Sequence, residues 1–229
     1  MSKIAYIFPG QGSQYVGMGK DLAGKSTTAR NIFEQANVIL GIPISTICFE
    51  GPEIDLRQTK NTQPAIFIHS MALTMMMEQH DAQMAAGHSL GEYSALVFAG
   101  AMTFEDGLKL VRLRGELMQE AGEQQRGTMA AVVGLEPDVV DALCIEASSA
   151  GIVQSANFNS PGQIVVSGSV EGVRKAMELA KSKGAKLVKE LVVSGAFHSP
   201  LMQGARERLC TALATTPIQN ARIPVYANV

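Results

Sequence analysis

Residues 84–96 read MAAGHSLGEYSAL. Two glycines, Gly87 and Gly91, bracket a single serine, Ser89, at what reads as the start of a helix. Glycine is poor helix material. The pair does suit a sharp strand-to-helix turn that exposes a serine hydroxyl, the G-x-S-x-G elbow. The small residues before it can form a buried strand, and LGEYSALVFAG after it a helix. A strand running through such a turn into a helix points to an α/β chain.

Working outward, the strand-like run at 3–8 leads into a Gly-rich loop, PGQGSQYVGMG. Helical patterns at 27–40 and 62–80 precede a short strand at 83–86 and the elbow. Helices at 90–99 and 103–121 follow, the second opened by the cap pair Thr103 and Asp106. From 127 to 193 the order changes. GTMAAVVG, IVQSANF, QIVVSG and AKLVKELVV read as strands, and EPDVVDALCIEAS and SVEGVRKAMELAKSKG as helices. That is β-α-β-β-α-β, the ferredoxin-like order. A helix at 200–214 and a last strand, IPVYANV, complete the chain. The expected organisation is a large α/β domain, 1–126 and 194–229, with a small ferredoxin-like domain, 127–193, inserted in it.

Composition narrows the class. At 229 residues and 46% hydrophobic, the chain can bury a substantial core. A net charge of −2 gives no reason to expect nucleic acid or an anionic membrane as partner. Cys48, Cys144 and Cys210 lie far apart with no C-x-x-C, which fits neither a disulfide framework nor a zinc site. No metal-ligand spacing occurs, and no apolar run reaches membrane-spanning length. KIAYIF near the start reads as strand, so no leader is expected before it. The expectation is a cytoplasmic protein with no metal.

A second motif competes with the elbow. Gly19 to Ser26, GKDLAGKS, matches the P-loop pattern G-x-x-x-x-G-K-[ST]. A P-loop needs a strand running straight into it, whereas the strand here ends near Phe8 and VGMGKDLAG reads as a short helix. Context favours the elbow.

A nucleophilic serine needs a base. Of the four histidines, His88 is the serine's neighbour on a tight turn and points away from it. His69 lies within an apolar helix, and His80 ends that helix, where a cation suits the dipole. His198 sits in a loop, SGAFHSP, after the inserted segment, and follows Ser89 in chain order as the base does in α/β-hydrolases. His198 is the expected base.

Arg114 carries the most informative charge. Leu110, Val111, Leu117 and Met118 stand three and four residues away, so Arg114 lies on the apolar face of its helix. Arg112 points elsewhere and meets Glu116 one turn on. An inward guanidinium needs an anionic partner, either a buried acid or a substrate carboxylate held in a fork. The loop Gly10-Gln11-Gly12 allows close backbone approach. An N–H from it, with that of Leu90, would make an oxyanion hole.

Together FPGQGSQYVGMG, TQPAIF, GHSLGEYSAL, VRLRGELMQ, NFNSPGQIVVSG and VSGAFHSPLM, in this order, resemble the malonyl-CoA:acyl carrier protein transacylase family. The resemblance implies an α/β-hydrolase-like large domain with an inserted ferredoxin-like one. It implies that malonyl-CoA acylates Ser89, that His198 is base and then acid, and that the N–H groups of Gln11 and Leu90 hold the oxyanion. Arg114 would grip the malonyl carboxylate. The acyl group would pass to the phosphopantetheine thiol of acyl carrier protein, with no cofactor. Leu90 and Phe197 resemble the malonyl-preferring pattern. Family members continue past PVYANV, so the resemblance also implies a C-terminally incomplete chain, lacking the group that orients the histidine.

Two other functions compete. A serine esterase or thioesterase would want an acid between Ser89 and His198, for which Asp106, Asp138 and Asp141 are available. A non-catalytic fragment would bind carrier protein without turnover. Carriers of this kind are acidic, and the stretch from Glu171 to Glu190 holds six basic residues against three acids. That stretch is the expected docking face.

Overall fold

The computed structural model describes residues 3–77 and 81–228. The fold is α/β and divides into two compact units. One comprises the chain up to Glu116 and from Leu209 onward; the other is Leu117–Arg208.

The first unit holds a three-stranded parallel sheet in the order β1-β2-β7, where β1 is Ala5–Phe8, β2 Met84–Gly87 and β7 Val225–Tyr226. Between β1 and β2 run α1 (Lys20–Lys25), α2 (Thr27–Leu40), α3 (Ile44–Glu50), α4 (Glu53–Leu56) and α5 (Thr59–Met76). After β2 come α6 (Gly91–Phe98) and α7 (Phe104–Gln124), the latter continuing past the unit boundary at Glu116. The short helices α3 and α4 were not expected from periodicity; each starts directly after a proline, Pro43 or Pro52, that serves as its N-cap.

The P-loop reading fails on geometry. Gly19 is the N-cap of α1, and the Ser26 hydroxyl accepts from the Ala29 N–H at 3.3 Å to cap α2. Those residues make a helix and a cap. The cap expected on α7 forms, with the Asp106 N–H donating to Thr103 Oγ1 at 3.1 Å and that hydroxyl donating to Asp106 Oδ2 at 2.6 Å.

Helix α5 is buried almost all round, with Ile66, Phe67, Ile68 and Met71 in the core beside Phe33, Ile44 and Leu108. Its Pro64 has no N–H for the Lys60 carbonyl one turn earlier. Arg112 Nη1 donates to that carbonyl at 2.9 Å instead, besides the expected pairing of Arg112 Nε with Glu116 at 2.6 Å. Helix α5 ends at Met76, and His80, expected at the end of this helix, lies outside the described residues.

In the second unit β3 (Gly127–Val133), α8 (Pro137–Ala147), β4 (Val153–Ser160), β5 (Gln163–Ser169), α9 (Val170–Ser182) and β6 (Leu187–Glu190) follow the expected β-α-β-β-α-β order. The antiparallel sheet runs β4-β5-β3-β6. Side chains alternate between its faces. Ala130, Val132, Ile164 and Val166 pack on Val140, Leu143, Val173 and Ala176 of α8 and α9. Met129, Ala131 and Val165 face the other way and pack with Met118, Phe197 and Met202. That second apolar face explains why the compact unit extends beyond 127–193 at both ends: the last turns of α7 and the segment through Met202 cover it. The helix expected at 200–214 is a short 3₁₀ turn, Pro200–Met202, followed by α10 (Gln203–Thr215).

Candidate active site

The elbow is present, and its glycines have a spatial cause. A Cβ on Gly87 would stand 1.9 Å from the Gly91 carbonyl carbon, and one on Gly91 would stand 2.2 Å from the Phe8 oxygen. The turn closes onto itself and onto the end of β1, where the His88 N–H donates to the Phe8 carbonyl at 3.0 Å. Ser89 sits at its apex with φ 52°, in the left-handed region. Among the described residues, the only other non-glycine residue with positive φ is His198, at 59°. Such backbone strain clusters at functional sites, and these are the two residues chosen above as nucleophile and base.

Arg114 is 9% exposed. Its Nη1 donates to Gln63 Oε1 at 2.7 Å and its Nη2 to the Ser89 hydroxyl at 2.9 Å. The guanidinium lies 6.0 Å from the centroid of the Tyr93 ring. Among the described residues it makes no ion pair with a carboxylate. Burial pulls its pKa down, and Tyr93 and Glu92 oppose that. A fork with one prong on an uncharged amide and the other on a hydroxyl is a cation without its anion.

Leu90 is fully buried behind the serine. Gly10 lies directly against the His88 carbonyl, which brings the β1 loop and Gln11 to the elbow. The Gln11 side chain donates from Nε2 to Thr59 Oγ1 at 3.5 Å. Among the described residues, neither the Gln11 nor the Leu90 backbone N–H donates to a protein acceptor. Phe197 and His198 belong to the second unit, where Phe197 is buried in the cluster with Met129 and Met202. The His198 carbonyl accepts from Gln154 Nε2 at 3.0 Å. No three His, Cys, Asp or Glu side chains among the described residues are grouped to hold a metal.

Two of the three candidate acids are otherwise engaged. Asp106 caps α7, and Asp141 accepts from the Ser155 hydroxyl at 2.6 Å. Burial lowers the pKa of His69 against the opposing charge of Asp21.

Sequence reasoning missed Gln63, Tyr93 and Asn228 as parts of this site. The available signal for Gln63 was a polar run opening an apolar helix, of which Thr59, Asn61, Thr62 and Gln63 are buried.

The family model for the acyl transferase domain matches residues 5–229. A malonyl CoA-acyl carrier protein transacylase of Bacillus subtilis is 45% identical over 100% of this chain and 73% of its own length. The one from Escherichia coli O157:H7 is 41% identical over 100% and 75%. The solved transacylase of Coxiella burnetii matches with a TM-score of 0.96 at 40% identity, over 99% of this chain and 73% of that one. A malonyl-transacylase solved in complex with its type II PKS acyl-carrier protein matches at 0.95 and 40% identity, over 100% and 75%. With an acyl transferase domain from residue 5 onward and this likeness in sequence and fold, the chain belongs to the malonyl CoA-acyl carrier protein transacylase family.

Proposed function

We propose that this chain moves a malonyl group from malonyl-CoA to the phosphopantetheine thiol of acyl carrier protein through a malonyl-serine at Ser89. The observation that carries the reading is Arg114, a buried guanidinium that pairs with no carboxylate among the described residues and is hydrogen-bonded to the Ser89 hydroxyl. An acyl group ending in a carboxylate completes that fork, and its thioester carbonyl then falls to the serine.

In the first half-reaction, Ser89 Oγ attacks the thioester carbonyl as its proton passes to His198. The oxyanion is held by the N–H groups of Gln11 and Leu90, a role supported by their having no protein acceptor among the described residues. Collapse breaks the C–S bond, and His198 returns the proton to the departing CoA sulfur. In the second half-reaction His198 takes the proton of the pantetheine thiol, the sulfur attacks the malonyl-serine ester, and the proton ends on Ser89. The electrons and protons balance without a cofactor. Leu90 and Phe197, each buried within its own unit, are the residues this reading assigns to the preference for malonyl.

We read the first unit as α/β-hydrolase-like, supported by its parallel sheet and elbow, and the second as an inserted ferredoxin-like domain, supported by its strand order. Three free cysteines support a reducing cytoplasm. Among the described residues no helix is long and apolar enough to cross a membrane.

The test is intact mass after mixing with malonyl-CoA. A malonyl adduct on the Ser89 peptide, discharged by holo carrier protein and absent in Ser89→Ala, is the expected result. His198→Ala should slow its formation on the order of 10²–10⁴-fold. Rapid discharge to water would favour a hydrolase, and an adduct on the Ser89→Ala protein would reject the assignment.

A further inference from the structure

Asn228 follows β7 and lies 139 residues from Ser89 in sequence, yet it is bonded to the elbow at three points. Its Oδ1 accepts the Ser89 N–H at 3.2 Å, and its Nδ2 donates to the Gly87 carbonyl at 2.6 Å. Nδ2 also donates to Glu92 Oε2 at 3.2 Å, and the Asn228 backbone N–H donates to the same oxygen at 3.1 Å. The carboxylate accepts only, so it fixes which end of the amide is nitrogen and turns Oδ1 toward the serine.

We infer that Asn228 is a positioning residue that holds Ser89 in its left-handed conformation, with Glu92 setting its orientation; this rests on Ser89 being the acylated residue. One side chain ties the peptide N–H of the nucleophile to the carbonyl two residues earlier, across the turn that a serine adopts only under strain. It also occupies the Ser89 N–H, so that this group is withheld from substrate and the Leu90 N–H faces the reacting carbonyl. Releasing the clamp lets Ser89 relax toward ordinary backbone angles and carries Oγ off its line of attack.

The experiment measures single-turnover malonylation of Ser89 by malonyl-CoA, as rate per acylatable serine, together with the melting temperature. Asn228→Ala should slow malonylation on the order of 10- to 100-fold, the scale of a misplaced nucleophile, with KM unchanged within about twofold. Asn228→Asp keeps the acceptor but sets a second carboxylate against Glu92. Its rate relative to wild type should rise as pH falls and one carboxyl regains a proton. In Asn228→Asp/Glu92→Gln the amide of residue 92 can donate to the new carboxylate, but the Gly87 carbonyl loses its donor, so the rate at neutral pH should recover above that of Asn228→Asp without reaching wild type. An Asn228→Ala rate within about twofold of wild type would overturn the inference. So would a loss that follows the unfolded fraction, with no pH response in Asn228→Asp and no recovery in the double variant. If the wild-type protein forms no adduct at Ser89, the proposed function itself fails, a separate outcome.

Discussion

The Arg114 guanidinium donates to the hydroxyl of Ser89 across 2.9 Å, joining α7 to the apex of the elbow. A positive charge that close favours the alkoxide side of the serine's proton equilibrium and repels a second cation. It also offers a fork to any acyl chain whose far end is anionic. On the function proposed above, positioning and selection of the acyl group meet in one side chain.

Arg114→Ala removes a charge-assisted contact worth roughly 2–5 kcal/mol when desolvated. Malonyl transfer should fall on the order of 30- to several-thousand-fold. Acetyl-CoA, with no carboxylate, should be used as well as before or better. Because no carboxylate of the described residues pairs with Arg114, its removal strands no buried acid; it takes one donor from the Gln63 amide, so the melting temperature should fall by only a few degrees. Measuring kcat/KM for both thioesters with a thermal melt checks this. Parallel loss of both substrates with a collapsed melting temperature would sink the clamp.

Gly91→Ala puts a methyl group 2.2 Å from the Phe8 oxygen, a backbone atom of β1 that cannot swing aside. Overpacking of this kind should cost about 3 kcal/mol, a fall in melting temperature of about 6–12 °C for a chain of this size. Gly204→Ala is the control: nothing lies within 4 Å of its added methyl. A melting temperature for Gly91→Ala equal to the control's would contradict the closeness of the turn.

Burial pushes the Cys48 thiol up from 9.0 to about 12 and the Cys144 thiol up to about 11. Below pH 9 both thiols are protonated whether the chain is folded or not. Above it the unfolded chain loses these protons and the folded chain keeps them, so stability declines with rising pH. The decline spans pH 9 to about 11 for Cys144 and to about 12 for Cys48. Each thiol contributes a slope of about 1.4 kcal/mol per pH unit. Urea unfolding at a series of alkaline pH values should show a shallower decline in Cys48→Ala/Cys144→Ala than in the wild-type protein. Equal slopes would show that other groups set the alkaline limit.

Lys181, Lys183, Lys186 and Lys189 are exposed at the end of α9 and along β6. If an acidic carrier docks there, replacing Lys181, Lys183 and Lys186 with Glu should raise KM for carrier protein on the order of tenfold at low salt. KM for malonyl-CoA should not change. A carrier KM indifferent to the charge reversal would leave these lysines as a plain solvated face.

How much of this was legible beforehand follows from how far each residue's meaning reaches along the chain. Ser89 was legible because its glycines lie two residues to either side. Arg114 was legible because one helix turn reports which face a side chain takes. The strands and helices of the second unit were legible for the same local reason, and its strand order answers to theirs. The second apolar face of its sheet was not legible, since Met118 and Met202 belong to helical segments on either side of the expected insert. Gln63, within TQPAIF, and Asn228, within the final strand, were not singled out. Nothing near either one in sequence names Arg114 or Ser89 as its partner.

The parallel sheet under the elbow sets an order in time as well as in space. Ile4 meets Gln83 across 79 residues, and Ser89 meets Asn228 across 139. Contacts that close such long loops form late, after local helices and hairpins. A folding chain can complete α2, α5 and the antiparallel sheet while its serine still has ordinary backbone angles. If Ser89 is the nucleophile, regain of acylation should therefore lag behind regain of helical signal on refolding, because Ser89 is strained into place only when β7 and Asn228 arrive.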